Sequence, residues 1–493
     1  MPLFAAFCGS FYRGLSPVMA ADTAINLYTE TREVPGSAKQ VAMIGTPGLT
    51  RDATVATLVC RGWFTQDGRT WVVVGATLYE RTAAATYVAR GTVANDGKPV
   101  TFVSNGQGGG QVAIVGGGAL YVLVLSTNVL SAITLPFANP VMITFLDGYG
   151  LINQRDTPTV WFSALENFAS WDALDFFARS GSSDNLVGVA VSRDRVWALG
   201  SKTTTLFYNS GDFDTPFVPY PGTSTQVGLA HASLLGIYND VLYWVAVSAT
   251  GQYRMVRATD PTAETISTPP IEWFLSQCST LTDATLLIYE QDGHPFVCVT
   301  CPSSPEAVQT YVYDVRESLW HARASWDSTL GQYLPWRASG ATAINGEVLV
   351  GDRDTGDLYV LDLEVFAEDG AVLKRERATP YLSAEAEWLF IDQFELGMQA
   401  GVGLSSGQGS APTVTLEISR DGARTWVDTG MATLGAGPAS VGAVGDYTAR
   451  AIWRRLGRVR ADRLVFRVTQ TDPVKTIWGP GAWIKATPGT GQL

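Results

Sequence analysis

The chain has 493 residues, 46% hydrophobic and only 16% charged, with 34 Lys plus Arg against 46 Asp plus Glu for a net charge of −12. It is too apolar for a disordered chain, too poor in charge for a coiled coil, and too acidic to coat nucleic acid through cation–phosphate contacts. Its 50 Gly and 24 Pro, spread without a period of three, exclude collagen and punctuate the chain too often for long helices.

The acidity is uneven. Residues 381–493 carry 11 Lys plus Arg against 10 Asp plus Glu, which leaves 23 against 36, a net of −13, in the first 380. At the N-terminus, MPLFAAFCGSFYRGLS lacks the basic start of a secretory signal, and Arg13 interrupts its apolar stretch. The five cysteines, Cys8, Cys60, Cys278, Cys298 and Cys301, are an odd number in a long chain. They predict no disulfide framework, and so a protein folded in a reducing cytoplasm. The longest apolar runs, such as 119–125, are of strand length, and none approaches a membrane helix.

From residue 60 onward the chain reads as short apolar runs at 71–74, 111–115, 196–199, 241–247, 296–300 and 348–350, separated by turn residues. Asp67-Gly68, Asp96-Gly97, Asp292-Gly293 and Asp421-Gly422 are expected hairpin turns. Only 164–177 and 271–278 look helical. A weak repeat runs through this region: strand, Gly, short polar turn, then Leu-aromatic. It reads VVVGATLY at 72–79, AIVGGGALY at 113–121, WALGSKTTTLFY at 197–208 and VLVGDRDTGDLY at 348–359. Gly75 and Gly116 lie 41 residues apart, and Gly200 follows after 84, about twice that spacing. Divergent copies fit near 151–162, 242–255 and 296–312. Units of roughly 40–50 residues with several strands each mark a β-propeller, because one blade buries both faces only inside a closed ring. A string of unrelated hairpins is the blander alternative.

After 363 the pattern changes. Residues 364–377 are charged and read as a connection; from Pro380 longer strands appear at 388–396, 413–418, 425–428, 464–469 and 477–485. The Gly/Ala/Ser-rich stretch 435–445 reads as a long loop. The fold expected is all-β: a propeller of about seven blades (six to eight fit) followed by a β-sandwich. The divisions are an N-terminal arm with first strands (1–50), the propeller (51–363), a connection (364–380) and the sandwich (381–493).

Enzyme signals are weak. Cys298 and Cys301 form a CxxC near His294, but a second pair is missing and strand positions 298 and 301 face opposite ways, so buried thiols are expected in place of a metal site. His231, His294 and His321 are the only histidines, and there is no GxSxG elbow. The triplets Gly108–Gly110 and Gly116–Gly118 read as turns. Ser419-Arg-Asp421-Gly-Ala-Arg-Thr425-Trp426 resembles the Asp-box of sialidase-like propellers, and Thr65-Gln-Asp67-Gly-Arg-Thr-Trp71 echoes it; the box is structural even in enzymes. Catalysis, cofactors and metals are therefore not expected. The sharpest surface feature is a basic run of Arg450, Arg454, Arg455, Arg458, Arg460, Arg463 and Arg467. Alternation puts Arg458 and Arg460 on one strand face and Val459 on the other. Two readings stand: a solvated edge strand guarded by charge, or a face, with Arg454, Arg455, Arg458, Arg460 and Arg463 as its candidates, that docks an acidic partner or lines a channel beside DNA phosphate.

Three stretches together carry a family resemblance: INLYTETREVPGSAKQVAMIGTPGL (25–49), the run VWFSALENFASWDALDFFARSGSSDNLVGVAVSRDRVWALGSKTTTLFYNSGD (160–212), and the basic IWRRLGRVRADRLVFRV (452–468). In that order they resemble the tail nozzle, or tail hub, proteins of short-tailed bacteriophages, also called packaged DNA stabilisation proteins. The resemblance implies a structural virion protein, made in the host cytoplasm, that forms a homo-hexameric ring at the distal tail. It implies a tail adaptor above, tailspikes, fibres, a needle or a plug below, and genomic DNA retained and later passing through the channel. If the acidic region lines that bore, like charge would let DNA slide without sticking. A carbohydrate-binding or sialidase-like propeller is the alternative.

Overall fold

The computed structural model describes residues 2–9, 11–13, 21–32, 40–212, 215–259, 261–381, 387–433, 445 and 447–489. Seven blades follow one another, each built on four strands, the fifth with the short extra strand Gly228–Leu229 beside its inner strand. Their inner strands are Cys60–Gln66, Thr101–Ser104, Pro140–Leu146, Leu186–Ser192, Leu235–Tyr238, Thr285–Gln291 and Ala338–Ile344. The second strand of each blade is sandwiched between neighbouring blades, so both of its faces are dry and its sequence is continuously apolar in place of alternating. Arg69–Val74, Gln111–Gly116 and Arg195–Gly200 each bury every residue after the first. Trp197 and Trp244, on second strands of adjacent blades, meet edge-on at 6.2 Å. Each such buried Trp is worth about 3–5 kcal/mol against Ala.

The repeat seen in the sequence is the hairpin between second and third strands, and all seven predicted copies fall on it. Six of the seven turns between first and second strands have two consecutive positive-φ residues: Asp67-Gly68, Asp147-Gly148, Arg193-Asp194, Asn239-Asp240, Asp292-Gly293 and Asn345-Gly346. That is the two-residue turn whose twist matches the strands. Asp96-Gly97, expected as a hairpin, lies instead in the connection between the first and second blades. There Asp96 accepts from Arg61 Nη2 at 2.6 Å.

The ring closes through sequence-distant partners. Gly48–Ala56 is the outer strand of the seventh blade, antiparallel to Gly356–Asp362. The helix expected at 271–278 is present as Pro269–Gln277, started by Pro at its first positions and burying Ile271, Phe274 and Leu275. The helix expected at 164–177 is absent. The side chains of Asn167 and Asp172 accept from the backbone N–H of Ala169 (3.0 Å) and Leu174 (2.9 Å), offering turns that compete with helix.

Beyond the propeller, two sheets form the sandwich. One is continuous with blade six: Thr285–Gln291, His294–Thr300, Thr310–Asp314 and Leu319–Asp327 lead through Ala21–Ile25 to Arg375–Ala378, Val465–Gln470, Thr413–Ser419 and Val427–Thr433. Arg375–Ala378 is thus a strand within the stretch read as a connection. Asn26 seals the crossing: its side-chain amide donates to Ala324 O and Lys374 O, both at 2.8 Å, and its Oδ1 accepts from Ala324 N at 3.1 Å. Arg377, fully buried, donates to Phe7 O at 2.7 Å and Thr23 O at 3.1 Å. Arginine there satisfies carbonyls that would otherwise stand unpaired in a dry seam. The second sheet runs Leu27–Arg32, Gln40–Gly45, Ile477–Pro488, Trp388–Met398, Ala451–Arg460, with Pro2–Ala6 also on Ile477–Pro488. Of the loop expected at 435–445, only Gly445 is among the described residues. No helix among the described residues is long and apolar enough to cross a membrane.

Candidate functional site: the outer face of the sandwich

Alternation along the second sheet, shifted in phase at a bulge between Ile391 and Phe394, divides its side chains. Leu389, Ile391, Phe394 and Leu396 point inward with Trp453, Val459 and Ile484, and pack on Val414, Leu416, Phe466 and Val468 of the other sheet. The opposite set is left in water. Trp388, Phe390, Trp483 and Phe4 are all exposed, Trp483 by 51% and Phe4 by 52%, and Phe4 and Trp483 sit edge-on at 6.2 Å. Four aromatic rings on one solvated sheet face are more than scattered surface apolarity.

Cations are interleaved with these rings by register. Lys485 stands beside Gln393 and then Arg454; Thr487 stands beside Phe390 and then Arg458. The Arg458 guanidinium lies 4.3 Å from the Trp388 ring centre and 5.9 Å from that of Phe390. Stacking of this kind sets the cation against the negative face of the rings.

Ala451–Arg460 is the edge strand of its sheet, and it is bulged. Ile391 pairs with Gly457 and Gln393 with Arg454, so Arg455 and Leu456 together oppose Asp392. Arg455 adopts φ 61° and Gly457 φ 86°. A bulge re-aims a side chain and blunts an edge. Arg454 and Arg455 are exposed, and neither meets a partner among the described residues. Arg460 pairs with Asp462 at 2.9 Å, and Arg463 lies 3.9 Å from the same carboxylate. At the flanks, Arg450 grips Glu395 and Arg467 grips Glu417, each with two hydrogen bonds. All five candidate arginines therefore lie on one strand and the short turn after it. The aromatic half of the face went unread in the sequence, because it comes from three strands that are far apart along the chain. The signal was available as W-x-F at 388–390, where an aromatic pair stands out of phase with the buried Leu389.

The other candidates sit in structural places. Cys298 and Cys301 are buried free thiols that fall in different core clusters. Burial pushes the Cys298 thiol up to about 12. His294 Nδ1 and Asp314 Oδ2 form a buried pair at 2.8 Å. His321 is buried, and that burial holds its pKa well below the ordinary imidazole value, helped by Arg323 and His294. His231 caps a short 3₁₀ turn through Ser233. Among the described residues no group of three or more His, Cys, Asp or Glu could hold a metal ion.

The Asp421 turn has the hydrogen bonds of an Asp-box. Asp421 Oδ1 accepts from Ser419 Oγ (2.8 Å), Arg424 N (3.1 Å) and Thr425 N (2.9 Å), and Oδ2 accepts from Thr425 Oγ1 (2.6 Å). Trp426 lies under Arg467 at 4.2 Å. The echo at 65–71 is different: Asp67 reaches out to Gln107 Nε2 at 2.7 Å and belongs to a two-residue turn.

Residues 16–366 match the family model described as bacteriophage P22 Gp10, beta-propeller, and residues 374–479 match that described as bacteriophage P22 Gp10, beta-sandwich. No curated protein matches the chain. Among solved structures it is similar to the N-terminal domain of Nup159 (10% identity over 72% of this chain and 99% of that one, TM-score 0.39) and to BamB from Moraxella catarrhalis (14%, 69% and 97%, TM-score 0.36). It is also similar to the extracellular domain of the hybrid two-component system BT4673 from B. thetaiotaomicron (9% identity, TM-score 0.43). There it matches 66% of this chain and spans 41% of the other.

Proposed function

Because this chain belongs to the bacteriophage P22 Gp10 family, the tail nozzle and packaged DNA stabilisation proteins of short-tailed phages, we propose that it works by assembly geometry and carries no reaction step. In this reading six copies form a ring at the distal tail. The ring seats on the tail adaptor, holds spikes, fibres or a plug, retains the packaged genome, and gives it a conduit on ejection. The single observation that carries the reading is the outer face of the sandwich, where Phe4, Trp388, Phe390 and Trp483 stand in water among Arg454, Arg458 and Lys485. Aromatic side chains and arginine are the residues that anchor protein interfaces, and a lone soluble protein gains nothing from exposing four of these rings together. The continuous sheet from blade six into the sandwich supports it as well, because it makes the two parts one stiff unit able to pass load around a ring.

The test is electron microscopy of the purified chain mixed with its tail adaptor. A six-fold ring on the adaptor, disrupted by Trp388→Ala together with Trp483→Ala, is the expected result. A chain that stays monomeric with and without adaptor overturns the reading.

A further inference from the structure

A second surface stands out, on blade three. Its third and fourth strands, Thr159–Phe162 and Phe176–Ala178, are joined by a 13-residue excursion, 163–175, in place of a tight turn. The excursion is firmly based. Phe168 is fully buried, Trp171 Nε1 donates to Phe168 O at 2.7 Å, and Asn105 Nδ2 donates to Glu166 O at 3.1 Å. On this base, Leu165 is 60% exposed, Leu174 82% and Phe176 46%. Glu166, Asp172 and Asp175 lie among them, Asp147 occupies the adjoining turn, and no Lys or Arg occurs between residues 156 and 178. Apolar anchors ringed by one sign of charge are a docking patch for an apolar surface of the opposite sign.

The sandwich face is such a surface. It carries exposed rings with Arg454, Arg455, Arg458 and Lys485 and the Arg460–Asp462 pair, against Asp392 and the Arg450–Glu395 pair. One molecule cannot join its own two patches. The sandwich leaves the propeller from the outer strand of blade six, and blade three is three blades away among seven, roughly 150° around the ring. Two complementary patches at separated places on one chain make a head-to-tail contact, the type that closes cyclic rings.

We propose that the outer face of the sandwich of one copy docks on the blade-three excursion of the next copy, with Leu174, Leu165 and Phe176 against Trp388, Phe390 and Trp483, and Glu166 and Asp175 facing Arg454 and Arg455. The proposal rests on the ring reading above and assigns the surfaces that build the ring.

The test uses two double variants of the full chain, Arg454→Glu with Arg455→Glu, and Glu166→Lys with Asp175→Lys, each checked by thermal melting. On the adaptor at low salt, each variant alone should lose at least tenfold in ring occupancy. A 1:1 mixture should recover rings, because reversed face then meets reversed excursion at every second contact and the native pairs meet at the others. Leu174→Ser removes a side chain the fold does not bury and should weaken rings with an unchanged melt. Rings formed normally by either charge variant, or a mixture that fails to recover them, overturn the proposal while wild-type rings keep the ring reading intact. A wild-type chain that forms no ring removes that reading itself, and the proposal with it. If the arginine variant loses duplex DNA binding while the acidic variant assembles as wild type, the face serves DNA and the proposal is wrong.

Discussion

Asp421 shows how much one side chain does for a long turn. Its carboxylate gathers two backbone N–H groups and two hydroxyls between Ser419 and Thr425. Those bonds, led by the Thr425 hydroxyl, stabilise the charged form and hold the pKa at about 2, below the ordinary carboxylate value. A folded-state pKa below the unfolded one stabilises the fold above the unfolded pKa and loses that stabilisation as pH falls. The window here runs from about pH 4 down to about 2. Asp421→Asn should therefore melt below the wild type at neutral pH, with the gap closing across that window, as followed by circular dichroism. A constant gap would show that the charge is not what closes the turn. The box was legible in the sequence because its donors are local. Its echo at Asp67 lacks those local bonds: two residues of positive φ shape that turn, and the carboxylate bonds Gln107, 40 residues on.

Among the elements, the second strands were the most legible. A strand packed between two blades has no wet face, so Trp71–Val74 and Val196–Leu199 read as unbroken apolar runs whatever their partners are. Fourth strands carried little signal: Thr86–Thr92 and Val129–Ile133 are largely exposed and look like loops. Arg193-Asp194 and Asn239-Asp240 close hairpins without glycine, so a search for Asp-Gly passed them by. The strand that closes the ring was unreadable for a different reason. Gly48–Ala56 finds Gly356–Asp362 some 300 residues later, and period-2 alternation does not name a partner. Gly356 marks how closely they approach, since a Cβ there would stand 2.0 Å from Ala56 O. Gly356→Val should cost about 1–3 kcal/mol by forcing that backbone apart. The expected signs are a lower urea midpoint and faster tryptic cleavage at Arg51, which lies on the displaced strand. Gly181→Ala, where a Cβ meets nothing within 4 Å, should leave both unchanged. Equal behaviour of the two variants would mean the seventh blade holds without its N-terminal strand.

At the scale of the molecule the question is which opening could pass a genome. The propeller has a central hole lined by inner strands of all seven blades, Phe102, Thr144, Val189, Ile237, Leu286 and Ala341 among its walls, with a cavity of about 460 Å³. The inner strands that wall it have four or seven residues and span roughly 13–23 Å at about 3.3 Å per residue. A space of about 460 Å³ spread over that length is far too narrow for a duplex, whose major groove alone is about 12 Å wide. In the ring proposed above, the conduit for DNA would lie between copies, where the side of the propeller, within the acidic first 380 residues, would face the phosphates. Repulsion there removes the cation contacts and counterion release that make DNA stick. Ile237, half-exposed on the wall of the hole, separates the two geometries. Ile237→Trp should narrow the hole and leave both ring assembly and the rate of genome release from assembled particles unchanged, measured by dye entry to released DNA. Slower release with intact rings would place the DNA path through the propeller itself and contradict the ring geometry argued from the sandwich and blade three.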